Sequence, residues 1–129
     1  MTPLLALLLQ AAAAPAPAPE PAWQGLGLHQ GVDIAYDPAS VRAESGRVRV
    51  RIRGTMAAPG PDGIRTVTGT TEIDCTAGTA TALDAKGYDA QGRLMFNGVA
   101  PAAERHAEPI RPDSPNAAVR AIVCQRQGQ

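Results

Sequence analysis

The sequence predicts an α+β domain: an antiparallel sheet of about five strands packed against a C-terminal α-helix, with one disulfide. Three observations predict it. Gly46-Arg47-Val48-Arg49-Val50-Arg51-Ile52-Arg53-Gly54 alternates strictly between apolar and basic residues and is bounded by glycine at both ends, the pattern of a half-buried strand. Ser114-Pro115 opens a segment whose apolar residues recur at helical spacing. Two cysteines, Cys75 and Cys124, fall one at the end of a strand pattern and one near the end of that helix.

Length and composition bound the function classes. At 129 residues there is room for one domain. The hydrophobic fraction of 44% is inflated by alanine in the first twenty-two residues. Only Trp23, Tyr36, Tyr88 and Phe96 are aromatic, so the core is poor in large side chains and its stability modest. Twelve basic and twelve acidic residues give a formal net charge of zero, which argues against nucleic acid, whose backbone needs a positive excess. Eleven of the twelve basic residues are arginine, Lys86 being the exception.

Residues 1–14 have the form of a secretory signal peptide: an apolar run at Leu4–Leu9, then small residues Ala11–Ala14 that supply an A-x-A cleavage pattern. No basic residue precedes the run, so either the signal is weak or the true start lies upstream. The run is too short for a membrane anchor, which needs about 20 apolar residues. Pro15-Ala16-Pro17-Ala18-Pro19-Glu20-Pro21-Ala22 favours an extended spacer over any paired element. The domain, 23–129, begins at Trp23, expected as a core plug or edge cover and not as a ligand platform.

Val32–Tyr36 alternates and forms a first strand, and Asp37-Pro38-Ala39-Ser40 a turn in which Asp37 and Ser40 bond local backbone. After the arginine strand, Met56–Gly63 is a loop dense in proline and glycine. A second long strand runs over Ile64–Cys75. Folding the two as a hairpin sets Val48 opposite Ile73, Arg47 opposite Asp74 and Arg49 opposite Glu72. Opposed opposite charges stabilise a strand pair by about 0.2–1 kcal/mol. Arg51 and Arg53 then face Thr70 and Thr68 and stay free. The paired half favours a solvated face; the unpaired half, Arg51 and Arg53, is the candidate partner-binding surface. Thr79–Ala85 and Arg93–Phe96 read as further strands about the turn Tyr88–Gly92, with connections too short for parallel crossovers.

Two cysteines in an exported chain pair by default. Closing a loop of about 50 residues is worth about 4 kcal/mol. Neither a zinc pattern nor a nucleophilic Cys–His arrangement is present, since Cys75, Cys124, His29 and His106 fit no ligand or catalytic spacing. No metal, cofactor or catalytic residue is expected. In the helix, Ser114 serves as N-cap, Pro115 suits the first turn, Asp113 adds a favourable negative charge, and Val119, Ile122 and Val123 form the buried stripe.

The order of these motifs resembles the surface-adhesin protein E family. Tyr36-Asp37-Pro38-Ala39-Ser40 precedes a long alternating strand; Glu72-Ile73-Asp74-Cys75 is followed by Tyr88-Asp89-Ala90-Gln91-Gly92; and Ile110-Arg111-Pro112-Asp113-Ser114 leads into a short helix and Cys124. The likeness covers about residues 23–125. Two features depart from the family pattern: Asp113 stands where glycine is usual, and residues 99–108 lack an aromatic. The resemblance implies an antiparallel sheet on a helix, bridged cysteines, and adhesion to host extracellular-matrix proteins.

The expected function is thus an exported, non-enzymatic binding domain, adhesin-like or cell-envelope-associated, placed in the periplasm or at the cell surface. Its partner is a host matrix or envelope protein. The alternative is a periplasmic inhibitor or accessory subunit docking through a sheet edge or the Arg51/Arg53 face. An exposed sheet edge would also admit a homodimer.

Overall fold

The computed structural model describes residues 21–127. The signal segment expected over 1–14 and most of the linker expected over 15–22 lie outside the described residues.

Strand β4 (Arg47–Met56) organises the sheet. Along one side it pairs from Arg47 to Thr55 with β5 (Thr66–Asp74). Along the other it divides, its second half pairing with β2 (Val32–Tyr36) and its first three residues with β3 (Arg42–Glu44). The main path is β1-β2-β4-β5-β6-β7, with β1 at Gln24–His29, β6 at Thr79–Tyr88 and β7 at Leu94–Val99. A two-residue strand, β8 (Glu108–Pro109), pairs with the start of β6. Every pairing is antiparallel. Among the described residues the sheet therefore has eight strands where the sequence predicts about five; β1, β3 and β8 are the additions.

The expected β4–β5 register holds residue by residue: Arg47 opposite Asp74, Val48 opposite Ile73, Arg49 opposite Glu72, Arg51 opposite Thr70, Arg53 opposite Thr68. Strand geometry then sends Val48, Val50 and Ile52 to the inner face and the arginines to the outer face. Helix α1 (Pro115–Gln127), the one α-helix among the described residues, covers the inner face. Ser114 caps it, accepting the Ala117 N–H on Oγ at 3.2 Å. Val119 and Val123 are fully buried in one cluster with Ile34, Tyr36, Val48, Val50, Ile73 and Ala80, and Ile122 packs against it. Burying a valine or isoleucine is worth about 1.5–3 kcal/mol. Tyr36 is the one aromatic in that cluster, in line with the small-side-chain core expected from composition. Cys75, just past β5, is bridged to Cys124 of α1, with Cα atoms 5.6 Å apart.

Candidate functional site

The outer face of the sheet brings the expected site residues together. At one end of the arginine row, charges close on themselves. Arg49 Nε donates to Glu72 at 2.9 Å, and Arg47 lies 3.6 Å from Glu72 and 3.8 Å from Asp74. These arginines are more than half exposed, so the pairs add little stability each. They neutralise that part of the face. Arg42, opposite Arg49 on β3, turns its guanidinium away to the carbonyls of Ala39 and Val41. This relieves a like-charge contact that would otherwise be unfavourable. An open cleft of about 720 Å³ between Arg42, Arg47 and Arg49 also holds Glu44 and Glu72, leaving it close to balanced.

The other end differs. Arg51 and Arg53 form no ion pair among the described residues, as their threonine partners in the register imply. They are not free, however. The Trp23 ring lies across both guanidinium groups, 5.1 Å from Arg53 and 6.0 Å from Arg51. Such contacts are worth about 0.5–1 kcal/mol each when exposed and more when desolvated. Arg53 Nε is buried and has no hydrogen-bond partner. Trp23 thus covers the outer face and not the core: it immediately precedes β1, whose Gly25 pairs with Ala35 and so leaves the face shallow beside the arginines. Across β5, Thr68 is buried between Arg53 and Lys86. Lys86 is a further cation without an ion pair among the described residues, and it belongs to this surface by register alone.

The remaining polar candidates have structural roles. Asp37 accepts the Ala39 N–H at 3.1 Å, Ser40 Oγ donates to the Asp37 carbonyl at 2.7 Å, and the Arg51 N–H donates to Ser40 Oγ at 2.8 Å. The pair shapes a turn and ties it to β4, as expected. Asp89 does the same in the β6–β7 turn, accepting the N–H groups of Gln91 and Arg93 at 2.9 Å and Arg93 Nε at 2.8 Å. The Arg93 backbone N–H, then its guanidinium and the Gln91 N–H, hold the Asp89 carboxyl below its ordinary pKa against the opposing effect of burial. Asp113 has φ of 63°, the left-handed region that glycine enters freely. The motifs at Tyr36–Ser40, Tyr88–Gly92 and Asp113–Ser114 are therefore turn and cap devices, whereas Glu72–Cys75 is the end of β5 and its disulfide anchor.

Among the described residues no group of three or more His, Cys, Asp or Glu side chains is placed to hold a metal ion. No helix among them is long and apolar enough to cross a membrane.

Comparison with known proteins agrees with this architecture. The family model described as surface-adhesin protein E matches residues 23–125. The fold is similar to the structure of Haemophilus influenzae protein E, with a TM-score of 0.56 and 17% identity over 90% of this chain and 93% of that one. A selenomethionine form of that protein gives 0.54 and 19% identity over 88% and 93%. Protein E from non-typeable Haemophilus influenzae gives 0.54 and 17% over 90% and 84%. No curated protein sequence is a significant match.

Proposed function

This chain belongs to the surface-adhesin protein E family, and from that premise we propose that it is a non-enzymatic, adhesin-like domain that binds a protein partner at the cell surface. The family match over nearly the whole domain carries the proposal. In this reading the segment 1–14 directs export, 15–22 spaces the domain 23–129 from whatever precedes it, and the partner is a host matrix or envelope protein. No cofactor or nucleic acid takes part.

The partner-facing surface in this proposal is the outer sheet face at Arg51 and Arg53. The supporting observation is electrostatic: the arginines at the other end of the row are neutralised by Glu72 and Asp74, whereas Arg51, Arg53 and Lys86, on the same face, form no ion pair among the described residues. Carboxylates of a partner would meet guanidinium groups already held in place by Trp23, so little side-chain freedom would be lost on docking. The test is binding of the purified domain to immobilised, solubilised extracellular-matrix proteins, compared with Arg51→Glu/Arg53→Glu. Reversing two charges should abolish capture while leaving the circular dichroism spectrum unchanged. Equal capture by the variant would remove this face from the proposal, and no capture by the wild type would remove the adhesive role.

A further inference from the structure

Among the described residues five large apolar side chains are exposed, and four of them belong to one strand: Leu94 (54%), Met95 (50%), Phe96 (40%) and Val99 (71%), all on β7. All six residues of β7 are exposed. One edge of β7 pairs with β6. The other has no strand beside it among the described residues. Native edge strands are usually blunted with charge, proline or a covering segment. Leu94-Met95-Phe96-Asn97-Gly98-Val99 carries neither charge nor proline, and Arg93, at its entry, is held by Asp89.

We infer that the open edge of β7 is a docking site for a single extended, uncharged segment of a protein partner, added to the sheet as a further antiparallel or parallel strand. This deepens the proposed binding role and rests on it for the nature of the partner. Two observations select the occupant. The fifth large exposed side chain, Leu28, lies on β1 at the far edge of the sheet, so the apolar patch is confined to six residues. A stable interface between two copies needs about 20–30 residues a side, whereas strand addition draws its affinity from main-chain hydrogen bonds along one short edge. The neutrality of β7 then selects an uncharged segment, because a charged one would be desolvated against apolar side chains without a counter-charge.

The side-chain pattern also fits. The register with β6 places Phe96 over Gly87 on the inner face. A Cβ built on Gly98, the next inner-face residue, would meet nothing within 4 Å. The face of Phe96 and the gap at Gly98 form a shallow seat for one large apolar side chain of the added strand. Val99 and Asn97 line the other face.

The test uses the isotope-labelled chain and a defined probe, the acetylated and amidated heptapeptide Thr-Val-Thr-Leu-Thr-Val-Thr, with a control carrying lysine in place of its three apolar residues. Chemical-shift changes confined to amides of β6 and β7, absent with the lysine peptide, are expected at about 1 mM peptide. The substitution Leu94→Lys/Val99→Lys, at exposed positions, should abolish them without altering the folded spectrum. No shifts, or shifts centred on other strands, would overturn the inference. A dimer in sedimentation that the double-lysine variant converts to monomer would also overturn it, by assigning the edge to a second copy. The matrix-protein assay separates the two ideas: a chain that binds the peptide at β7 but captures no matrix protein loses the adhesive role and keeps the edge site.

Discussion

Reducing the disulfide is the most direct way to weigh what holds this fold together. Cys75 and Cys124 are 49 residues apart, and the chain-entropy relation gives about 4 kcal/mol for a loop of that length. Domains of this size are stable by about 5–15 kcal/mol, and among the described residues the largest fully buried side chains are Ile73, Val48, Val50, Val119 and Val123. The bridge therefore supplies a large share of the total. A change of 1 kcal/mol moves the melting temperature of a domain near this size by about 4–8 °C, so reduction should lower it by about 15–30 °C. Because the effect acts on the unfolded chain, the reduced protein should keep its folded spectrum at 20 °C, with Val119 and Val123 still docked. Its denaturant m-value should rise as the unfolded state expands. The assay is guanidinium unfolding of oxidised and reduced protein, followed by Trp23 fluorescence and far-ultraviolet circular dichroism. A stability difference below about 1 kcal/mol would refute the reasoning. So would a reduced chain in which the helix signal is lost while Trp23 still reports a folded sheet, since the bridge would then be holding α1 in place locally.

Four further outcomes follow from local geometry. A Cβ on Gly69 would overlap the Asp84 carbonyl oxygen at the β6 bulge; being backbone, that oxygen cannot swing away, and Gly69→Ala should cost about 3 kcal/mol in urea unfolding. Gly87→Ala strikes only the half-exposed Phe96 ring and should cost about 1 kcal/mol; equal costs would disprove the distinction. Asp113→Gly should stabilise by about 0.5 kcal/mol, relief of the left-handed conformation outweighing the lost charge at the helix start, as read by the melting midpoint. Asp89 is held below its ordinary value of 3.8, so its contribution is present above that value and is lost as pH falls through the lower, folded one. Acid unfolding of Asp89→Asn should lack this component, whereas an unchanged acid profile would show that the turn does not depend on the charge.

What could be read from the sequence, and what could not, separates along one physical line. Alternation records which face a side chain takes, so β4 and β5 followed from Arg47–Arg53 and Ile64–Cys75. Folding them as a hairpin about the loop between gave their register, with Arg47 opposite Asp74 and Arg49 opposite Glu72. A strand whose side chains say little is silent in that code. β1 alternates glycine with leucine and is bulged between Gly25 and Gly27; β3 has three residues, and β8 two, one of them Pro109. A different signal marked the first two. Gln30-Gly31 and Ser45-Gly46 both have positive φ at each residue, the geometry of a two-residue hairpin. A polar–glycine pair directly before a strand points back to another strand on its far side. The site divides the same way. That Arg51 and Arg53 lack acidic partners was legible from the register. Trp23 over them was not, because its position depends on β1 carrying it along the sheet edge. The exposed edge lies furthest from the sequence: Leu94–Val99 has the composition of a buried strand, and only the strand order places it last. Periodicity tells which way a side chain points, and topology alone tells whether anything stands beside it.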